Sequence, residues 1–192
     1  MSQHVIAITG GIGSGKSIIS SILRLLGYKI YDCDSNAKHI MNHSRQIKES
    51  LANLIDKDTI TPLGEINREK LAKIVFNNPE KLAILNRLVH SAVINDFSYW
   101  KNQQLPDSKL FIETAILYQS GIDKIVSEVW EIIAPEEIRI RRVMKRNNFN
   151  REQVVSRIKS QEFKPKEIHN NTKLIINNDQ NPILPQIIQL LN

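Results

Sequence analysis

The residues best suited to chemistry lie close to the amino terminus. Gly10-x-x-x-x-Gly15-Lys16-Ser17 follows the apolar run Val5-Ile6-Ala7-Ile8 and precedes a helix-like run from Ile18 to Leu26. Glycine accepts positive φ and lets a ligand approach the main chain, so such a loop can turn its N–H groups inward. The backbone of Gly11, Ile12, Gly13, Ser14, Gly15, Lys16 and Ser17 would then wrap a phosphate chain. Lys16 would place a mobile point charge on the β- and γ-phosphates, and the Ser17 hydroxyl would ligate Mg²⁺. A helix starting near Gly15 adds the positive end of its dipole. A glycine-rich turn without a ligand is the plainer alternative, which the strand–loop–helix context disfavours. The pattern points to a nucleoside triphosphate such as ATP and leaves its fate open.

Acids at strand ends supply the next candidates. Tyr28 to Asp32 reads as a second strand ending in Asp32-Cys33-Asp34. Ligands of open α/β sheets sit beyond the carboxyl ends of the strands, so both aspartates should lie near the loop. Asp32 reads equally as a site acid or as a structural cap. Asp34 suits a base or orienting acceptor near a γ-phosphate, or the start of a helix over Ser35 to Met41. Lys109 to Ile112 reads as a third strand ending in Glu113, either an acceptor toward Mg²⁺ or a cap on the following turn. Cys33 reads as a small buried filler.

Positive charge is concentrated rather than spread. From Arg139 to Lys166 there are ten Lys or Arg and two Glu, a net of +8 in a chain whose total is +6. The rest of the chain is therefore slightly acidic, which argues against nucleic-acid binding and for the phosphates of a small substrate. Arg139, Arg142 and Arg146 recur at offsets of three and four on a helix opened by Pro135-Glu136-Glu137. After a turn at Asn147 to Asn150, a second basic helix runs from Arg151 to about Gln161. Such a pair suits a closing lid whose guanidinium groups meet phosphate oxygens; a solvated charged pair is the bland alternative.

The positioning elements follow. Residues 35 to 105 read as helical, with breaks at Thr59 to Glu65 and at Asn78-Pro79. A long helix there carries Leu82, Leu85, Leu88, Val89, Ala92 and Val93 as a stripe. That stretch is too long for a simple crossover and reads as an inserted helical subdomain. His90 lies beside the stripe, either as a satisfied structural histidine or as a substrate contact. Ile125 to Ala134 supplies a fourth strand and Lys173 to Asn177 a fifth, with a terminal helix over Asn181 to Leu191. Asn177 and Asn178 could hydrogen-bond an adenine or simply form a turn. The fold class is α/β. One cysteine, no secretory pattern and no membrane-length apolar run fit a cytoplasmic setting.

The order of these parts resembles the dephospho-coenzyme A kinase family over nearly the whole chain. The resemblance rests on Thr9 to Ser17, Asp32-Cys33-Asp34, Leu88-Val89-His90, Glu113 to Leu117, Arg142, Arg146, Arg157, Gln161 and Ile176-Asn177-Asn178. Two departures stand out: Ile18 where the family has threonine, and Ser91 where it has proline. The resemblance implies a P-loop kinase core with a five-stranded parallel sheet, formed by 1–34, 107–137 and 172–192. It further implies a helical acceptor subdomain at 35–106 and an Arg-rich helical lid at 138–171. The implied reaction moves the ATP γ-phosphate to the ribose 3′-hydroxyl of dephospho-CoA, the last step of coenzyme A synthesis. The nucleotide would be bound by Gly11 to Ile18 with Arg142, Arg146 and Asn177. The acceptor would meet Asp32, Asp34, His90 and Glu113, and Asp34, Lys16 and Arg142 would serve transfer. The expected protein is a monomer or weak homo-oligomer, without membrane or nucleic-acid partners. A kinase of another nucleoside or nucleotide, or a nucleotide-dependent switch, is the competing expectation.

Overall fold

The computed structural model describes residues 3–161 and 167–192. The chain divides into two units, Met1–Asp32 with Leu105–Asn192, and Cys33–Gln104.

The first unit is built on five strands: β1 (His4–Thr9), β2 (Lys29–Asp32), β3 (Lys109–Glu113), β4 (Glu128–Ile133) and β5 (Thr172–Ile176). They form one sheet in the order β2-β3-β1-β4-β5, and every pairing is parallel. A parallel sheet covered on both faces needs apolar strands without alternation, and Val5 to Ile8 are all buried. Ile6, Ile8, Phe111, Trp130, Ile132 and Ile175 pack with Ile19, Leu23 and Ile187 in one cluster. Ile19 and Leu23 come from α1 (Lys16–Leu25). The Phe111 and Trp130 rings meet edge to face at 5.2 Å, an arrangement their quadrupoles favour. The buried indole N–H of Trp130 donates to Glu128 Oε1 at 2.6 Å, so no donor is stranded there.

The second unit is built on four helices, α2 (Cys33–His43), α3 (Arg45–Leu54), α4 (Arg68–Phe76) and α5 (Pro79–Asn102), with a 3₁₀ turn at Lys57–Thr59 and an isolated antiparallel bridge between Ile60 and Ile66. Side-chain caps set three of its helix starts: Ser44 accepts from Ile47 N–H, Asn67 from Lys70 N–H, and Asn78 from Lys81 N–H. Pro79 in the first turn of α5 gives up no hydrogen bond, because that N–H has no helical partner anyway. Ile47, Leu51, Ile55, Leu71 and Val75 form the core, with Leu85, Leu88 and Ala92 of the anticipated stripe packed against it.

The chain returns to the sheet and continues through α6 (Leu117–Ser120), α7 (Glu136–Asn147), α8 (Arg151–Ser160) and α9 (Ile183–Leu191). Asn148 adopts φ 53 at the α7–α8 corner, and Asn150 with Gln153 forms a reciprocal capping box. The range 138–171 expected for a lid includes residues 162–166, which lie outside the described residues.

Several boundaries differ from the sequence reading. The strand expected from Ile125 starts at Glu128, because Gly121 turns the chain at φ 77 into a 3₁₀ turn over Ile122–Ile125. Ile122 and Val126 are apolar there because they are buried, not because they pair. Helix α2 begins at Cys33 rather than Ser35, directly off β2. Asn177 lies one residue past β5. Among the described residues, no helix is long and apolar enough to cross a membrane.

Leu51 is fully buried at the centre of the helical core. Leu51→Ala should cost about 2–5 kcal/mol, read as a lower urea midpoint with an unchanged slope.

Candidate active site

The turn between β1 and α1 is closed in on by neighbouring backbone and side chains. Gly15 caps α1 at φ 103, and a Cβ there would fall 2.2 Å from Asn177 Nδ2. Gly13 at φ 78 would place a Cβ 2.7 Å from the Arg139 carbonyl oxygen. Both positions are therefore glycine on two counts, conformation and space. Within the turn, Ser14 N–H donates to Gly11 O at 3.1 Å, and the Lys16 ammonium donates to Gly10 O at 2.7 Å. Lys16 and Ser17 are the first two residues of α1, where N–H groups have no helical partner. The Ser17 and Ile18 side chains are exposed.

Acids stand beside this turn on the strand ends. Glu113 is in register with Ile8 of β1 on one side and Asp32 of β2 on the other. Register partners share a face, and neighbouring strands lie about 4.8 Å apart. Both carboxylates thus leave the same edge of the sheet. Together with the Ser17 hydroxyl they are hard oxygen donors, the kind Mg²⁺ takes alongside phosphate oxygens. Among the described residues, no group of three His, Cys, Asp or Glu could hold an ion alone. On the other flank, Glu131 of β4 is in register with Thr9. Thr9, Gly10, Gly11, Tyr118, Glu131 and Gln161 line a cavity of about 170 Å³.

The remaining expected acceptor residues belong to the second unit. Asp34 occupies the first turn of α2, where a negative charge also suits the helix dipole. His90 lies on α5, half-buried, and burial pushes its imidazole pKa down.

The arginines behave differently from the expected open lid. Arg142 is spent on the loop and its neighbour. Its Nη1 donates to Gly13 O and Ser14 O at 3.3 and 3.4 Å, and its Nη2 to Asn177 O and Oδ1 at 3.2 and 2.8 Å. Nη2 also meets the Asp179 carboxylate, which Arg141 grips at 2.6 Å. The Arg142 hydrogen bond, and then its charge, hold the Asp179 carboxyl below its usual range. Arg146, one turn on, is exposed and donates to Asn147 Oδ1 at 2.9 Å. Asn177, read as an adenine or turn residue, is buried, and its Nδ2 donates to Ser14 O at 2.7 Å.

Three further residues hold the turn: Arg139, read from the sequence as a lid arginine, Gln161, named there only as a helix end and in the family resemblance, and Asp179. Arg139 Nε donates to Ile12 O at 2.9 Å, and Gln161 Oε1 accepts Ile12 N–H at 2.7 Å. Asp179, at φ 62, anchors Arg142. The offset of three from Arg142 was a signal for Arg139. Nothing in the local sequence singles out Asp179.

A family model described as dephospho-CoA kinase matches residues 4–183. A dephospho-CoA kinase of Carboxydothermus hydrogenoformans is 36% identical over 160 residues, covering 82% of this chain and 77% of that one. One from Fusobacterium nucleatum is 35% identical over 178 residues, covering 93% and 91%. Among solved structures, a Thermus thermophilus protein matches with TM-score 0.79 and 29% identity, covering 100% of this chain and 95% of its own.

The depressed pKa of His90 carries a pH dependence of determined sign. The folded protein favours the neutral ring, while the unfolded chain takes up a proton below about 6.5. Stability should therefore fall as pH drops below that value. His90→Gln should flatten thermal melting temperature against pH between 6.5 and 5 relative to the parent; an unchanged slope would assign the dependence elsewhere.

Proposed function

The chain belongs to the dephospho-CoA kinase family, and from this premise we propose that its glycine loop holds ATP while dephospho-CoA offers its ribose 3′-hydroxyl. It phosphorylates dephospho-CoA in the synthesis of coenzyme A. The observation that carries the finer reading is the β1–loop–α1 turn. Its glycines at φ 78 and 103 lead into a helix that begins with Lys16 and Ser17.

In the proposed transfer, the ribose 3′-oxygen forms a bond to the γ-phosphorus as the bridging bond to ADP breaks. Such a transition state is loose, so positioning and charge stabilisation matter more than base strength. Helix-start amides at Lys16 and Ser17, with those of Gly13 and Gly15, face the phosphate chain. The Lys16 ammonium, which donates to Gly10 O, would turn its charge to the β- and γ-phosphates. Ser17, Asp32 and Glu113 would hold Mg²⁺, which when bound neutralises charge on the phosphates. Asp34 orients the acceptor hydroxyl and accepts its proton, and His90 contributes to the acceptor side as a neutral ring.

Arg142 takes a different part from the one its sequence suggests. Its guanidinium is engaged with Gly13, Ser14, Asn177 and Asp179, so it supports transfer by holding the loop to the end of β5. Asn177 does the same through Ser14. The reading has the enzyme working in the cytoplasm as a monomer or weak homo-oligomer, with no nucleic-acid or membrane partner. The confinement of positive charge to one segment supports the lack of a nucleic-acid partner.

Lys16→Ala should abolish dephospho-CoA-dependent ADP release; turnover near the parent rate would overturn the phosphate-loop assignment. Asp34→Asn should lower kcat about 10²-fold or more. A rise in the KM for dephospho-CoA at constant kcat would make Asp34 a binding residue instead.

A further inference from the structure

We propose that Ile12 is the point through which α7 and α8 set the shape of the phosphate loop, with Gln161 and Arg139 as positioning residues. This rests on the loop binding phosphates as assigned above.

Ile12 is the only large apolar side chain between Gly10 and Lys16. It packs against a cluster formed by Ile140 and Val143 of α7 with Val154 and Ile158 of α8. Its backbone is held by the same two helices. Gln161, the residue that closes α8, accepts Ile12 N–H at 2.7 Å. Arg139, in the first turn of α7, donates to Ile12 O at 2.9 Å. The Arg139 guanidinium also lies where a Gly11 side chain would be, with Nη2 2.4 Å from the site of a Cβ.

The chemistry explains why so small a segment needs three holds. Glycines flank Ile12 on both sides, so the adjoining peptide planes could rotate with little steric cost. A rotated peptide would present a carbonyl oxygen where the loop must present donors, which opposes phosphate binding. The Gly11–Ile12 peptide cannot rotate while Gly11 O accepts Ser14 N–H and Ile12 N–H is held by Gln161. The Ile12–Gly13 peptide is fixed by Arg139 through its oxygen. The Ile12 N–H is therefore a structural donor rather than a phosphate donor, which leaves the helix-start amides for the nucleotide. Arg139 opens the helix pair and Gln161 closes it, so its two roots meet at Ile12 and a displacement of either is felt there.

The test is steady-state kinetics on the full chain with ATP and dephospho-CoA, together with thermal melting. Gln161→Met keeps length and bulk but removes the acceptor; Gln161→Glu keeps an acceptor oxygen. Gln161→Met should lower kcat about 5- to 10-fold, the worth of one hydrogen bond, with the KM for dephospho-CoA unchanged, at a temperature where the melting curves of parent and variant both show folded protein. Gln161→Glu should recover kcat to within about twofold, while its charge beside the loop raises the KM for ATP. A parent-like kcat in Gln161→Met would overturn the proposal. So would an equal loss in both variants, or a loss that tracks melting temperature. Lys16→Ala separates the two levels: if it is inactive while Gln161→Met runs at the parent rate, only the role of Ile12 fails.

Discussion

A loop made of glycines has almost no side chains with which to hold itself, so its shape must be imposed from outside. That constraint runs through the first unit. Gly13 lies against the α7 backbone, Gly15 against Asn177, and Ile12 in the apolar cluster of α7 and α8. Each glycine allows a close approach, and each approach brings a hydrogen-bonding partner for a loop carbonyl or amide. Buried main-chain groups must be paired, and here the pairing partners double as the mould.

The parallel sheet supplies the frame that brings these partners to one edge. β1 lies between β3 and β4, so its carboxyl end is flanked by Glu113 on one side and Glu131 on the other. β5 lies one strand beyond β4 and delivers Asn177 and Asp179. The central strands are buried on both faces, which makes their register rigid. A rigid register fixes the spacing of the groups that leave their ends. The helical unit has a separate core around Leu51, and its helix starts are set by local caps.

Charge takes an unexpected form at this edge. The arginine-rich segment appears in the sequence as a loose cationic surface suited to close over phosphates. In the folded chain Arg139 and Arg142 are committed to carbonyl oxygens, and Arg141 and Arg142 share Asp179. A planar guanidinium with five donors can hold several acceptors in one geometry, which a lysine at the same place could not. The result is an arginine scaffold that holds the loop.

The sequence by itself determined the α/β class, the strand–loop–helix turn and most helix starts. These follow from apolar runs, glycine spacing and capping residues, which are all short-range signals. The turn at Gly10 to Ser17, the helix opened by Asn78-Pro79 and the acid at the end of β3 were legible for that reason. Strand edges near Ile125 were not, because burial and pairing both select apolar residues and only packing tells them apart. The functions of side chains remote in sequence were decided by tertiary structure alone. Gln161 and Ile12 are 149 positions apart, and Arg142 and Asp179 are 37 apart. No local pattern connects such pairs, since hydrogen bonds between them exist only after the sheet has set the distances between its strand ends.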